Sequence, residues 1–239
     1  MDPWPSTPDE LVHMQRALAA QAPSLWRPGA DLHVVAACFI CFPKAKEGAG
    51  AAGDPAWAAA VLMRDGRPAA SHAVRGGAGA PYEAGLLAMR EGPLLEASIV
   101  GLPEKPEVLL VNATGRDHPR RAGLALHLGA RLNIPTVGVT TRPLMAEGSW
   151  PPDQPGQASS LRIGEEIVGY WVRTRRNTRP LAVHAAWRTD PETAVEVVLR
   201  VTAGSRSPEP LRLARQLARE ARAGRHPAVS AGAAEKLER

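Results

Sequence analysis

Long apolar runs are missing from this chain: no stretch approaches the roughly 20 apolar residues of a bilayer crossing. The polar N-terminus, with prolines at Pro3, Pro5 and Pro8, does not read as a signal peptide. Cysteine is nearly absent. Cys38 and Cys41 lie in one apolar run, and at that spacing in an extended strand they point to opposite faces, so neither a disulfide nor a metal pair is expected. A reduced, cytoplasmic setting fits this usage. Lysine is scarce while arginine is abundant, and histone-like charge blocks are lacking. The formal net charge of +5 is a moderate basic bias that suits polyanions. No internal repeat is visible, and no Ser-His-Asp or Cys-His arrangement offers a nucleophile.

What is there is one good core's worth of chain, 239 residues. Met1 to Pro8 reads as a loose arm and Asp9–Ala22 as a packing helix, with Leu11, Met14 and Leu18 at helical spacing. Leu32–Phe42 is almost wholly apolar, a central strand buried on both faces. Pro43 to Pro55 reads as a flexible turn. Ala56–Met63 and Pro68–Val74 form a meander across the turn at Arg64–Gly66. Leu86–Val100 is helical with a break expected at Gly92-Pro93. Pro135–Val139 is a further strand, and Leu161–Arg173 and Pro180–Trp187 are strands bracketing the basic turn Arg173–Arg179. Asp190–Val201 and Glu209–Ala223 are helices. A meander followed by alternating helices and strands argues for a single α/β domain over 9–223 with a mixed sheet, between an arm (1–8) and a disordered tail (224–239).

The stretch Glu107–Arg121 concentrates the chemistry. Glu107–Val111 is a short buried strand ending at Asn112, followed by a loop through Gly115 and a helix expected from Asp117 to about Leu132. Ligands gather where strand ends meet helix starts, and such helix starts attract phosphate. His118, Arg120 and Arg121 therefore read as a phosphate-facing corner, or else as a cap followed by solvated arginines.

Several segments resemble the endonuclease V family: Pro81-Tyr82, Arg90-Glu91-Gly92-Pro93, Val111-Asn112-Ala-Thr-Gly115-Arg-Asp-His118-Pro-Arg120-Arg121-Ala-Gly123, Ile134-Pro-Thr-Val-Gly-Val139 and Ser207-Pro-Glu-Pro210. The likeness runs from about residue 10 to 222. It implies a ribonuclease H-like mixed sheet flanked by helices. It also implies a phosphodiesterase in which carboxylates hold Mg or Mn and DNA or RNA is nicked near deoxyinosine or inosine. Placed on this chain, the resemblance puts Glu91, Asn112 and His118 at the catalytic centre, with Glu91 as metal ligand. Tyr82, Gly115, Arg120, Arg121 and Arg142 fall at substrate-binding positions.

Four positions depart from the family pattern. Phe39 stands in place of the aspartate of the first strand, Asn112 in place of the aspartate after the central strand, Thr141 in place of a lysine, and Trp187 in place of a late histidine or aspartate. Phenylalanine offers no oxygen and an amide no charge, whereas hard cations want anionic oxygen. The wedge Pro81-Tyr82-Glu83-Ala84 also loses its apolar tip. The leading reading is a family member without the standard nuclease chemistry that keeps a nucleic-acid surface, needs no cofactor and has no membrane role. One alternative is an active Mg-dependent, inosine-directed endonuclease using Glu91, Asn112, His118 and outside carboxylates such as Glu83 or Asp117. A second is a protein-interaction module with no affinity for nucleic acid. Alternatives stay open at single residues: Glu91 paired with Arg90, Tyr82 as a loop aromatic, His118 satisfied by its own loop, His184 as a core histidine, and Arg173–Arg179 as a solvated hairpin tip.

Overall fold

The computed structural model describes residues 3–43 and 50–230. In chain order the elements are α1 (Pro8–Ala20), β1 (Val34–Cys41), β2 (Pro55–Arg64), β3 (Arg67–Gly77), α2 (Leu87–Val100), β4 (Val108–Val111) and α3 (Leu124–Leu132). Then come β5 (Thr136–Thr140), β6 (Ala158–Ile163), β7 (Glu166–Val172), β8 (Leu181–Ala185), α4 (Pro191–Arg200), α5 (Glu209–Arg222) and β9 (Val229–Ser230). The strands form one sheet in the order β6-β7-β8-β5-β4-β1-β2-β3-β9. At its centre β1, β4 and β5 run parallel, and the meander β1-β2-β3 and the run β5-β8-β7-β6 flank them antiparallel.

The apolar run of β1 is buried on both faces because its neighbours on each side carry helices. Ala36 and Cys38 pack with Leu11, Leu94 and Leu126 of the α1–α2–α3 layer. Val35 and Ala37 pack with Val197, Leu211 and Leu217 of the α4–α5 layer. Cys38 and Cys41 are free, buried and on opposite faces, as their spacing predicts.

Four expectations need correction. Leu161–Arg173 is not one strand but part of the β6–β7 hairpin, turning at Gly164 (φ 60°). The central helix begins at Leu124 rather than Asp117, because residues 112–123 form an extended loop whose polar groups are spent on tertiary contacts. Helix α2 runs unbroken through Gly92-Pro93. The carbonyls near Pro93 are covered from outside: the Gly79 N–H donates to the Arg90 carbonyl at 3.0 Å, and Gly79 lies so close to the Met89 carbonyl that a Cβ would sit 2.2 Å from it. Trp4, in the stretch read as a loose arm, stacks on His127 at 4.8 Å, donates to Glu96 and lies under Arg131. Part of the turn expected over Pro43–Pro55 and residues 231–239 of the expected tail lie outside the described residues. Val229–Ser230 pairs with β3.

Candidate functional site

The parallel register Cys38↔Val111 of β1 and β4 brings the next residues, Phe39 and Asn112, side by side where β4 ends. This is the strand-end corner at which the resemblance places two aspartates. Asn112 is exposed. Phe39 packs toward the α4–α5 layer, and the guanidinium carbon of Arg215, on α5, stands 5.0 Å above the centre of its ring. A guanidinium on an aromatic face is worth roughly 0.5–1 kcal/mol where exposed and more where desolvated. The Arg215 Nε is buried without a hydrogen-bond acceptor. Burial, and then the charges of Arg219 and Arg206, hold its pKa below the usual arginine value.

Glu91 sits on α2, across the sheet from this pair and close to Cys38. Burial pushes its carboxyl up to about 7 against a weaker opposing pull from Arg90. Burial and the Glu91 charge together push the Cys38 thiol up. Arg90 is not the partner of Glu91. Its guanidinium bonds Asp54 at 3.2 Å and the carbonyls of Ala51 and Ala80 at 2.9 and 2.7 Å, and covers the Phe42 ring. Among the described residues no three His, Cys, Asp or Glu side chains gather closely enough to hold a metal ion. Among the described residues the corner itself offers an amide, a phenyl ring and a guanidinium, a set poor in the anionic oxygen that a hard cation wants, with Glu91 on the other side of the sheet.

The Gly115–Arg121 block stands at the same end of the sheet but faces inward. Three groups converge on one acceptor, the Gly85 carbonyl: His118 Nε2 at 3.1 Å, an Arg120 Nη at 2.8 Å and Gln15 Nε2 at 3.1 Å. The Arg120 N–H donates to His118 Nδ1 at 3.1 Å, so the ring is neutral and donates through Nε2. Burial, ahead of the other influences, pushes the His118 pKa down to about 4. His118 thus locks the loop before α2, and Arg120 is held by the same lock and by Gln15 Oε1 at 2.6 Å. Arg121, at φ 56°, pairs with Glu166 at 3.1 Å. Gly115 packs so tightly that a Cβ would lie 2.0 Å from the Ala185 carbonyl, so the glycine is required by contact with β8.

Asp117 is fully buried and accepts the N–H groups of Leu144, Met145 and Ala146 at 2.7–2.8 Å, pinning the loop after β5. It is therefore not a spare ligand. Glu83 is exposed on the Tyr82 loop, and Tyr82 itself is half exposed with its N–H on the Gly50 carbonyl. Thr141 and Arg142 are exposed just past β5. Trp187 belongs to the opposite end of the sheet: its N–H and carbonyl meet Thr136, the first residue of β5, whereas the corner lies beyond Val111 and its partner Gly138. His184 is the buried core histidine, held by Thr140 Oγ1 at 2.9 Å. Sequence reasoning missed Arg215. Its signal was present as arginines at 212, 215, 219 and 222, which share one helix face after the Pro-Glu-Pro start.

Comparison with known proteins places this geometry. A family model described as Endonuclease V matches residues 19–216. The endonuclease V of Methanopyrus kandleri is 37% identical over 216 residues, covering 90% of this chain and 89% of its own. That of Gloeobacter violaceus is 34% identical over 95% of this chain and 91% of its own. The crystal structure of the Streptomyces avermitilis endonuclease V superposes with a TM-score of 0.79 at 30% identity, covering 92% of this chain and 95% of its own. The Ciona intestinalis endonuclease V, solved in complex with a 24mer DNA containing an inosine, shares the fold with a TM-score of 0.74 at 20% identity, over 91% of this chain and 98% of its own. The architecture is the ribonuclease H-like one expected, a mixed sheet with helices on both faces.

Proposed function

The chain belongs to the endonuclease V family, and we propose that it is a member that binds nucleic acid without the metal-dependent cleavage such a corner would otherwise perform. The observation that carries the reading is the Arg215 guanidinium seated on Phe39, a fixed cation where a hard metal would need anionic oxygen. Among the described residues Glu91 is the one carboxylate that the resemblance brings to the corner, and burial pushes it up to about 7 against a weaker pull from Arg90. Two of the groups that could rescue an active enzyme are committed elsewhere, His118 to Gly85 and Asp117 to three backbone amides, while Glu83 stays exposed. The basic surface, with exposed Arg175, Arg176 and Arg219, supports polyanion binding, and the DNA complex of the Ciona protein names the class of ligand. The free, buried cysteines suit a reducing cytoplasm.

The test is to incubate the purified protein in excess over deoxyinosine-containing DNA and inosine-containing RNA, with Mg and separately with Mn. The expected result is no nick above a protein-free control, alongside salt-dependent binding of the same oligonucleotides. Robust cleavage that disappears in Glu91→Ala would overturn the reading. Absence of binding at low salt would instead favour a protein-interaction module.

A further inference from the structure

Helix α5 presents Arg212, Arg215, Arg219 and Arg222 along one face. Two of these are occupied: Arg212 is paired with Glu209, and Arg222 donates to the Phe42 carbonyl at 2.8 Å. Arg215 and Arg219 have no carboxylate partner among the described residues. They line a groove of about 410 Å³, whose one carboxylate besides the arginines, Glu220, accepts from Gln216 Nε2 at 2.9 Å. Arg206 adds a third positive charge close enough to act on Arg215, and is itself held by the Arg179 carbonyl at 2.7 Å. Crowded guanidinium groups without a counter-charge repel one another, and an anion between them relieves the repulsion. The planar fork of arginine matches a phosphate bidentately, and stacking on Phe39 fixes the plane of Arg215 beforehand.

We propose that Arg215, seated on Phe39 and supported by Arg219, is a metal-independent phosphate site that takes a backbone phosphate of bound nucleic acid at the corner where β4 ends. The charge logic of the corner is then inverted. Carboxylates that hold a cation, which in turn holds phosphate, are replaced by a protein cation that meets phosphate directly. This inference rests on the nucleic-acid reading given above.

The experiment is fluorescence anisotropy of a fluorescein-labelled single-stranded oligonucleotide containing one deoxyinosine, titrated with the full chain across a salt series, once in EDTA and once in Mg. Wild type is expected to bind equally in both. Arg215→Ala is expected to bind about tenfold more weakly and to lower the salt slope by about one. Arg219→Ala, at an exposed position where folding is not at stake, is expected to lose about threefold. Arg67→Ala, exposed at the far end of the β2–β3 hairpin, is the control and is expected to bind as wild type. Thermal melts confirm that each variant is folded. Unchanged affinity and slope in both Arg215→Ala and Arg219→Ala would overturn the phosphate site while leaving nucleic-acid binding intact. Wild-type binding that appears only with Mg would overturn it too. No wild-type binding at low salt would overturn the nucleic-acid reading, and the inference with it.

Discussion

Two regions at one end of the same sheet contrast sharply. The Gly115–Arg121 block matches the family pattern, and nearly every polar group in it is used inside the fold: His118 and Arg120 on Gly85, Arg121 on Glu166, Asp117 on the loop after β5. At the β1–β4 corner, by contrast, Phe39 packs toward the α4–α5 layer under the Arg215 guanidinium, and the Asn112 side chain is exposed. A motif can therefore persist because the chain needs it to fold. Matching His-Pro-Arg-Arg reports the architecture; the corner reports the chemistry.

Substitutions in the two regions should differ in size, and that difference is open to attack. Asp117→Ala should be the most damaging, because it leaves three backbone N–H groups, one buried and two partly buried, without their charged acceptor. The expected loss is about 3–5 kcal/mol in urea denaturation. A loss under about 1 kcal/mol would break the claim that the block is architectural.

His118→Gln comes next, at about 1–3 kcal/mol near pH 7 for a partly dismantled lock. Its pH dependence carries a sign. A histidine held near 4 when folded, against an ordinary 6.5, contributes stability that is complete above about pH 6.5 and is lost as the pH falls toward 4. His127 and His184, also pushed by burial to about 4, act in the same direction. Denaturation midpoints should therefore fall between pH 6.5 and 4, and the fall should be shallower in His118→Gln than in wild type.

Glu91→Gln should do the reverse. A carboxyl raised from 4.5 to about 7 in the folded state opposes folding increasingly as pH rises through that window. The amide should then be more stable than wild type at pH 8, by at most about 3 kcal/mol, with the advantage gone near pH 4.5. An advantage that persists at pH 4.5 would point to packing rather than charge.

Much of the fold was legible because periodicity and apolar runs record burial directly. Leu32–Phe42 reads as a strand buried on both faces, and that is where β1 lies. The helix expected at Asp117 was not legible as a loop, because the acceptors and donors that hold it, Gly85 and Leu144–Ala146, are remote in the chain. Within the site, the absence of a charge at Phe39 and Asn112 is plain from residue type alone. The reading of Trp187 as a site position failed because alignment by motif cannot tell which end of an antiparallel strand reaches the corner. Arg215 comes from a helix more than 170 residues from Phe39, and only the packing of α5 on β1 joins them.

The central claim is that this corner keeps the scaffold and has exchanged the metal for a protein cation. Calorimetric titration of the wild-type chain with Mn at pH 7.5 tests it most directly. The account predicts no saturable binding up to millimolar metal. A stoichiometric site that vanishes in Glu91→Ala would contradict it.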